Sequence, residues 1–369
     1  MHRFDVAVIG GGVIGAACAR AAAARGLAVA IFEPGPLTGA ASPASAGMLA
    51  AQIEPAGDDG LHLAIRARGL YDELAPALLA ATGIDIGLWQ GGIASVAFDD
   101  SAEHRLKADV AAQRQAGLRC DWLEPDELDE RWPGLPDECR GALFAPEDGA
   151  LDPDALSRAL MADARRLGAT LVIERVQGVT SAGGRATGVV TSSGPTTAGQ
   201  VVVAAGAWSP ALDGLPKPIP VVPVRGQLAA TGWPAKRPPA ILYNEHAYVL
   251  TRGDEAVLGS TMEHAGFDCR VTTEGMAQIF RNAVRLLPAI ERETVHRMWA
   301  GLRPVTSDGL PILGADRTLG GLWYATGHGR NGVLLAALSG EVIGDLLSSG
   351  TSSVDIKPWR PDRPEIAPS

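Results

Sequence analysis

The chain has 369 residues, of which 46% are hydrophobic and 20% charged, and its formal net charge is −10. This length favours two or three domains, and the apolar fraction is sufficient to bury a sizeable core. Without a basic excess, the chain has no electrostatic footprint for nucleic acid or an anionic membrane. The four cysteines are scattered without a Cys-x-x-Cys pair, which argues against a zinc ribbon, a redox pair or a secreted disulfide scaffold.

The two most apolar candidates for targeting or membrane insertion do not fit those roles. The N-terminus enters a strand-like segment at residue 4, which leaves no room for a signal peptide. Residues 332–347 are apolar but short, and they include Glu341 and Asp345, so we do not expect them to span a membrane. We therefore expect a cytoplasmic protein with neither a membrane nor a nucleic-acid partner.

The first predicted elements form a strand, a helix and a second strand. Residues 4–9 are a short apolar run, typical of a buried parallel strand, and residues 13–25 are rich in alanine, which favours a helix. Residues 27–32 form the second predicted strand and end at Glu33. This order over about 30 residues indicates a βαβ unit.

A glycine motif occupies the turn between the first strand and the helix. Residues 10–15, GGGVIG, match G-x-G-x-x-G in the strand–turn–helix context that the motif requires. Gly10 permits the tight turn, Gly12 lets the backbone approach a pyrophosphate, and Gly15 lets the helix pack closely on the strand. Glu33 is placed to accept a hydrogen bond from a ribose 2′-hydroxyl, and its carboxylate would repel a 2′-phosphate. The motif predicts a dinucleotide site but does not separate NAD from FAD.

The later elements alternate between helical and β-rich segments. Asp152 and Pro153 provide the N-cap and first residue of a helix that we expect to end at Gly168. The other expected elements are a helix over 61–81, a charged helix over 102–116, strands over 92–98, 171–173, 186–191 and 201–205, a β-rich region over 219–261, a helix over 273–287, a strand over 322–326 and a helix over 332–347.

These elements predict an α/β protein with two interleaved domains. We expect a Rossmann-type dinucleotide-binding domain that is discontinuous in sequence, and a smaller β-rich α+β domain. The expected boundaries are 1–83, 145–215 and 304–369 for the first domain, 84–144 and 216–303 for the second, with an extended C-terminal tail over 349–369.

Several segments, in order along nearly the whole chain, resemble the FAD-dependent amino-acid oxidase superfamily, which includes D-amino-acid oxidase and sarcosine oxidase. The resemblance is greatest to the glycine oxidases of the thiamine pathway. The segments are VIGGGVIGAACA at the N-terminus, SPASAGML at 42–49, VVVAAGAWS at 201–209, PVRGQLAAT at 223–231, LYNEHAYVLTR at 242–252, LGSTM at 258–262, WAGLRPVTSDGLPILG at 299–314 and ATGHGRNGVLLA at 325–336.

The resemblance implies that the discontinuous Rossmann-type domain is an FAD-binding domain and that the smaller β-rich domain binds substrate. It also implies that the FAD is non-covalent and is surrounded by a set of matching residues. The sarcosine-oxidase branch attaches its flavin to a cysteine in the C-terminal half, whereas here only Cys269 follows residue 139, outside the matching segment. A helix that begins near residue 332 would direct its positive dipole end at the flavin when it becomes negative on reduction. The implied FAD-binding residues are Gly10, Gly12, Val13, Ile14, Gly15, Glu33, Pro34, Ser42, Ser45, Ala46, Gly47, Met48, Val176, Gly206, Trp208, Arg303, His328, Gly329, Arg330, Asn331 and Gly332.

The same resemblance implies three catalytic residues. Arg303 matches the arginine that binds the substrate carboxylate, which suits the two-point geometry of a guanidinium. Tyr248 matches a tyrosine that donates to the same carboxylate, and Arg330 matches a residue whose backbone carbonyl meets the substrate amine. The implied pocket residues are His246, Met262 and Met48. No metal site is expected.

Two departures from the family pattern affect the expected specificity. Gly329 stands where glycine oxidases usually carry an aromatic residue, and the following LLAALSG lacks the family's common proline. The smaller residue removes bulk near the substrate, so we expect tolerance of a side chain somewhat larger than that of glycine.

The predicted function is flavin-dependent oxidative deamination of a small neutral amino acid such as glycine, sarcosine or D-alanine. The products would be an imine or oxo acid, ammonia and, with oxygen as the acceptor, hydrogen peroxide. One alternative is a dehydrogenase of D-amino acids, hydroxyproline or opines that passes electrons to a quinone or partner subunit. Another is a non-catalytic dinucleotide-binding sensor. Relatives are commonly oligomeric, which makes a homo-oligomer an open expectation.

Overall fold

Two eight-stranded β-sheets organise the structure, a computed structural model that describes residues 3–35, 39–54 and 57–366. A two-stranded sheet joins β3 (Met48–Leu49) and β7 (Gly149–Ala150). The remaining strands are β1 Arg3–Ile9, β2 Val29–Phe32, β4 Ile93–Ala97, β5 Asp121–Leu123, β6 Gly141–Ala145, β8 Thr170–Val172, β9 Val176–Ala182, β10 Arg185–Thr191, β11 Gly194–Val203, β12 Val222–Gly232, β13 Ile241–Tyr243, β14 Tyr248–Arg252, β15 Glu255–Gly259, β16 Val295–Val305, β17 Ile312–Ala315 and β18 Leu322–Thr326.

Nine α-helices of four to 18 residues lie in the described part of the chain. They are α1 Val13–Ala24, α2 Ala41–Ala44, α3 Gly57–Gly69, α4 Tyr71–Thr82, α5 Asp100–Gln115, α6 Pro125–Arg131, α7 Pro153–Arg166, α8 Thr273–Leu286 and α9 Gly332–Ser349. Short 3₁₀ helices cover Gly206–Ala211, Pro288–Arg292, Lys357–Trp359 and Pro364–Ile366. As expected, Asp152 caps α7, where its side chain accepts hydrogen bonds from two backbone amides of the first turn.

The first large sheet has the strand order β17-β18-β11-β1-β2-β8, and β9 and β10 extend it beyond β11. From β18 to β8 the strands are parallel, which places the βαβ unit of β1, α1 and β2 at the centre of the sheet. Helix α1 is alanine-rich and packs closely on α9: a Cβ at Gly340 would lie 2.8 Å from the carbonyl oxygen of Ala17. Small residues on both helices thus allow this close packing. Because α1 follows β1 and α9 follows β18, two strands of the parallel set, both helices begin at the same edge of the sheet.

The second large sheet has the order β16-β12-β15-β14-β13-β4-β6-β5 and is mostly antiparallel. Helix α8 packs on it through an apolar face that includes Met276, Ile279 and Ala283, which are buried with Leu258. The chain passes between the two sheets several times before it ends. These observations confirm the predicted class, an α/β nucleotide-binding fold interleaved with a β-rich part.

The expected long helix over 61–81 is wrong, because the structure contains two helices there. Helix α3 ends at Gly69, and α4 begins at Tyr71. Glycine is a weak helix former, and the break lets the buried hydroxyl of Tyr71 donate to the carbonyl of Val333. The apolar spacing continues across this break, so it did not reveal where one helix ends and the next begins.

The C-terminal segment packs against the protein. Helix α9 continues to Ser349 and ends at Gly350, whose φ of +77° suits glycine. Beyond it, Trp359 is buried, and the guanidinium of Arg363 binds Asp308 with an Nε–Oδ2 distance of 2.7 Å. Residues 367–369 of the expected tail lie outside the described residues.

Helix α9 is also the one helix in the described ranges that is long and apolar enough to cross a membrane. It is, however, 61% buried inside the protein and packs on α1 and α3. The buried core helix of a soluble protein can have the same length and apolar composition, so this helix is weak evidence for a membrane span.

Candidate functional site

A cavity of about 500 Å³ contacts both large sheets and lies against the N-terminal ends of α1 and α9. The residues proposed from sequence meet there from segments spread over the whole chain. Those that line the cavity are Gly10, Gly12, Val13, Ile14, Glu33, Pro34, Ser42, Ser45, Ala46, Gly47, Met48, Val176, Gly206, Trp208, Tyr248, Arg303, His328, Gly329, Arg330, Asn331 and Gly332.

The turn between β1 and α1 leaves almost no space for side chains. Gly10 has φ +105°, and a Cβ there would lie 2.5 Å from the carbonyl oxygen of Ala204. A Cβ at Gly15 would lie 1.9 Å from the carbonyl oxygen of Gly10. Gly15 therefore allows α1 to pack closely on the turn, and it does not line the cavity. The helix N-terminus that results presents backbone amides to the cavity, as an anionic pyrophosphate requires.

Glu33 lies at the end of β2, beside this turn. Its carboxylate accepts a hydrogen bond from the amide of Gly11 at 2.7 Å. Burial raises the pKa of Glu33, while hydrogen bonds from Gly11 and Gly35 and the charge of Arg175 oppose that rise. A carboxylate held in this position fits a ribose hydroxyl.

The loop that follows β2 is attached to the second sheet. The amide of Leu302 donates to the carbonyl of Gly39 at 2.8 Å, and the indole of Trp299 donates to the carbonyl of Ala44 at 3.1 Å. The guanidinium of Arg252, on β14, donates to the carbonyl of Ala46. Residues 36–38 of this loop lie outside the described residues. The attachment brings Ser42 to Met48 against the strand that carries Arg303.

Arg303 lies near the end of β16 and lines the cavity. We name the region of the cavity around Arg303 and Tyr248 the substrate end, because the sequence predicts that these residues bind substrate. Its Nη2 donates to Ser260 Oγ at 2.8 Å and its Nη1 donates to the carbonyl of Thr261 at 3.1 Å. A Cβ at Gly226, on the neighbouring strand, would lie 1.9 Å from Nη1, so the guanidinium occupies the space that this glycine leaves. Burial lowers the pKa of Arg303, and it still stays charged at neutral pH.

The partners of Arg303 leave its charge uncompensated by a direct ion pair. Both hydrogen bonds go to neutral oxygen atoms. Throughout the ranges that the structure describes, no carboxylate lies within ion-pair distance of Arg303. A buried guanidinium without an anionic partner is costly, and a bound carboxylate would supply the missing charge.

Tyr248 begins β14 and is buried at the same end of the cavity. A Cβ at Gly259 would lie 2.3 Å from its hydroxyl oxygen, so this glycine leaves room for the phenol. Burial raises the pKa of Tyr248, and the nearby positive charge of Arg303 opposes that rise. The phenol therefore remains a neutral donor at physiological pH.

Arg330 contributes a second guanidinium to the cavity wall. It forms an ion pair with Glu54, and Tyr243 lies close enough for both charges to affect it. Burial lowers the pKa of Arg330, but the charge of Glu54 opposes burial and the net effect is a raised pKa. Arg330 therefore differs from Arg303 in having its own carboxylate.

His328 lies just before α9 and is buried and neutral. Its Nε2 is 2.9 Å from the hydroxyl of Ser339. Burial lowers its pKa to about 3. Asn331 and Gly332 follow at the start of α9, so the partial positive charge of this helix end meets the cavity.

Two residues expected in the pocket lie outside the cavity lining, which corrects that expectation. The side chain of His246 is 64% exposed and lies beside Glu245, with its ring 3.5 Å from the carboxylate. Met262 is 50% exposed. His246 sits in the turn before β14, while Met262 follows the segment that binds Arg303. The family resemblance implied that both line the pocket, but here their side chains are exposed to solvent.

The sequence interpretation also missed residues that complete the site. Ser260 lies in the quoted segment LGSTM and Gly226 in PVRGQLAAT, but neither received a role. Glu54 and Arg175 line the cavity and had no local motif to indicate them. Among the described residues there is no cluster of three or more metal-binding side chains.

Comparison with known proteins identifies the class. Residues 5–346 match the family described as FAD dependent oxidoreductase. The chain is 35% identical over 364 residues to the glycine oxidase of Geobacillus kaustophilus, covering 97% of this chain and 96% of the relative. The crystal structure of glycine oxidase from Geobacillus kaustophilus matches with a TM-score of 0.93 and 34% identity, covering 98% of this chain and 99% of that one.

A second type of relative is also similar. Hydrogen cyanide synthase subunit HcnC of Pseudomonas aeruginosa is 30% identical over 397 residues, covering 96% of this chain and 95% of the relative. The fold and cavity define a flavin-dependent oxidoreductase. The chain belongs to the FAD dependent oxidoreductase family, and it is an enzyme that uses FAD to oxidise amino acids. This finding leaves the non-catalytic sensor without support.

The residues present fit FAD. The glycine turn leaves no side chains in the way, so backbone amides can approach a pyrophosphate, and the half-buried carboxylate of Glu33 suits a ribose. Ser42 Oγ already accepts a hydrogen bond from the amide of Val13 at 3.0 Å, so the loop after β2 and the start of α1 face the cavity together. The cavity continues to the N-terminal end of α9, where an electron-rich ring system would be stabilised.

Proposed function

We propose that this enzyme carries out oxidative deamination of a small neutral amino acid of the glycine, sarcosine or D-alanine type. The observation that carries the proposal is the guanidinium of Arg303, which lines the cavity, is partly buried and has no carboxylate partner among the described residues. Every amino acid brings a carboxylate, and two-point binding by arginine fixes its orientation. The similarity to glycine oxidases supports the substrate class.

Each catalytic residue would have a separate role. Arg303 binds the substrate carboxylate, and the Tyr248 hydroxyl donates a further hydrogen bond to it. The backbone carbonyl of Arg330 accepts a hydrogen bond from the neutral amine, which orients the nitrogen lone pair along the α C–H bond that breaks as the C=N bond forms. Together they hold the α C–H bond in one orientation, and this positioning accounts for much of the rate. FAD supplies the hydride acceptor.

The cavity wall explains a preference for neutral side chains. The charges of Arg330 and Glu54 compensate each other, so a charged substrate side chain would have to break this pair or remain unpaired. Gly329 has φ +53°, and a Cβ there would meet nothing within 4 Å. The open space beside Gly329 supports tolerance of a side chain the size of a methyl group or slightly larger.

Oxygen is the electron acceptor that we propose, with hydrogen peroxide as the product. The second candidate is a dehydrogenase of D-amino acids, hydroxyproline or opines that transfers electrons to a quinone or partner subunit. One observation supports the dehydrogenase candidate: a relative at 30% identity is named as a subunit of another enzyme.

The two candidates differ in an anaerobic experiment. The FAD of the purified protein is mixed with glycine, sarcosine, D-alanine, D-proline, D-glutamate and D-lysine in turn, and oxygen is then admitted. We expect bleaching by the small neutral compounds and poor bleaching by the charged ones. Fast reoxidation with stoichiometric peroxide supports the oxidase, whereas slow reoxidation favours the dehydrogenase. Bleaching by only charged or opine-type compounds would contradict the proposed substrate class.

Three further features belong to the proposal. FAD is held non-covalently, because Cys269 is not among the residues that line the cavity, so acid precipitation should leave the yellow colour in the supernatant. We also propose a cytoplasmic location and a homo-oligomer. The domain boundaries given above stay predictions, with the first sheet and its helices forming the FAD domain.

A further inference from the structure

The cavity end that holds Arg303 is backed by a segment without an assigned role. We name residues 260–272 the strap. It leaves β15 and continues beside β12: the amide of Gln227 donates to Thr261 Oγ1 at 2.9 Å, and Glu263 and Arg225 exchange two backbone hydrogen bonds. Ser260 and Thr261, at the start of the strap, provide the two oxygen atoms that bind the Arg303 guanidinium.

Two buried side chains of β12 hold the strap. Arg225 is 7% exposed and Gln227 is fully buried. Arg225 forms an ion pair with Glu263, with Nε 3.0 Å from Oε2, and its Nη1 donates to the carbonyl of Arg270 at 3.2 Å. Gln227 donates to Glu263 Oε1 at 2.7 Å and accepts from the amide of Thr272 at 2.7 Å. The two side chains therefore fix the strap at its beginning and at its end.

The alternation of β12 separates these side chains from the substrate. Arg303 pairs with Val224 in the sheet, so its side chain shares a face with Val224 and Gly226. Arg225 and Gln227 occupy the opposite face. They cannot contact the substrate, but they hold the strand-like segment that presents Ser260 and Thr261 to Arg303.

We propose that Arg225 and Gln227, acting through Glu263, are positioning residues for the Arg303 guanidinium. This inference rests on the proposed role of Arg303 as the carboxylate site. A guanidinium on a long, flexible side chain has many rotamers, and its two-point binding to a carboxylate requires one of them. The strap selects that orientation before the substrate arrives.

The test is the affinity for acetate, a carboxylate without an amine, measured from the absorbance change of bound FAD. Glu263→Gln removes the charge that Arg225 binds but preserves the shape, and Glu263 is partly exposed, so folding should survive. We expect acetate affinity to fall about five- to tenfold and the KM for glycine to rise by a similar factor, with kcat within twofold of wild type. Gln227→Met should act in the same direction.

A matched control is Glu255→Gln, which breaks the ion pair between β15 and β16 that Glu255 forms with Arg297, at the opposite end of β12 from Arg225. It should leave acetate affinity and the KM for glycine unchanged. A merely structural role of the strap would instead lower kcat, FAD content and thermal stability without a selective change in carboxylate affinity.

A double-mutant cycle makes the test specific. In the Arg303→Ala background, Glu263→Gln should have no further effect on acetate affinity, because its effect passes through Arg303. The inference is overturned if neither strap variant changes acetate affinity by more than twofold, or if Glu263→Gln has its full effect without Arg303. If Arg303→Ala alone leaves acetate affinity unchanged, the proposed carboxylate site fails, and the inference with it.

Discussion

The two ends of the cavity are built in different ways. At the nucleotide end, the binding surface is backbone: Gly10 and Gly12 bring amides forward by leaving out side chains, and Gly15 lets α1 pack closely on the turn. At the substrate end, the surface is two side chains, Arg303 and Tyr248, and glycines provide the room they occupy. Glycine therefore serves two purposes in this cavity. At the nucleotide end it allows close approach of the backbone, and at the substrate end it leaves room for a side chain.

The largest effect should come from the nucleotide end. Gly15→Ala would place a Cβ 1.9 Å from the carbonyl oxygen of Gly10, and backbone cannot move aside as a flexible side chain can. We expect a destabilisation of about 3 kcal/mol or more and loss of bound FAD, measured as the absorbance ratio of flavin to protein. Gly69→Ala is the control, since nothing lies within 4 Å of its Cβ position. An FAD content equal to wild type in Gly15→Ala would contradict the backbone account.

The two ends of the cavity also differ in the charge of their titratable side chains. Burial keeps His328 neutral, whereas Arg303 stays charged. Burial lowers the pKa of His328 to about 3, whereas an unfolded histidine titrates near 6.5. Between these values the unfolded chain binds one more proton, so stability falls as pH falls. The contribution of His328 is fully present above pH 6.5 and is lost at about 1.4 kcal/mol per pH unit below it.

The measurement is the free energy of unfolding of the holoenzyme at pH 7 and pH 5. The wild type should lose about 2 kcal/mol more than His328→Asn over this interval. His62→Asn, at an exposed histidine, should show the same loss as the wild type. Equal pH slopes for the wild type and His328→Asn would show that the buried histidine does not govern acid stability.

Gly226→Ala tests whether the space left by this glycine is needed to place the Arg303 guanidinium. Its Cβ would lie 1.9 Å from Nη1 of Arg303, and the guanidinium is the movable end of a side chain. We expect FAD content and thermal stability close to wild type, with the KM for glycine raised about thirtyfold. If Gly226→Ala lost FAD as Gly15→Ala should, the two ends of the cavity would not differ as described.

The smallest effect concerns Tyr248. Tyr248→Phe removes one neutral hydrogen-bond donor and keeps the ring that packs beside Gly259. The KM for glycine should rise about tenfold, less than for Gly226→Ala. Steady-state kinetics with glycine checks this order, and Tyr243→Phe, on the neighbouring strand β13, is the comparison variant. An unchanged KM would remove Tyr248 from the carboxylate site.

The same contrast explains how much could be predicted from sequence. The nucleotide turn is a run of six consecutive residues with a strand before it and a helix after it, so local spacing carries the information. The fold class followed from this unit and the β-rich segments. The network around Arg303 joins residues 42 and 43 positions apart, and the ion pair of Glu54 with Arg330 joins residues 276 apart. No local pattern encodes such contacts. His246 and Met262 were expected in the pocket from the family resemblance alone, which does not fix where their side chains point in this chain.

The most direct test of the account is whether the uncompensated charge of Arg303 binds the substrate carboxylate. Acetate is titrated into the wild type, Arg303→Ala and Arg303→Lys, and binding is followed by the absorbance of FAD. Arg297→Ala, which removes an exposed arginine of the same strand, is the control. The account predicts about hundredfold weaker binding in Arg303→Ala, partial recovery in Arg303→Lys and unchanged FAD content in both. Wild-type affinity for acetate in Arg303→Ala would contradict it and place the carboxylate elsewhere, with Arg330 as the next candidate.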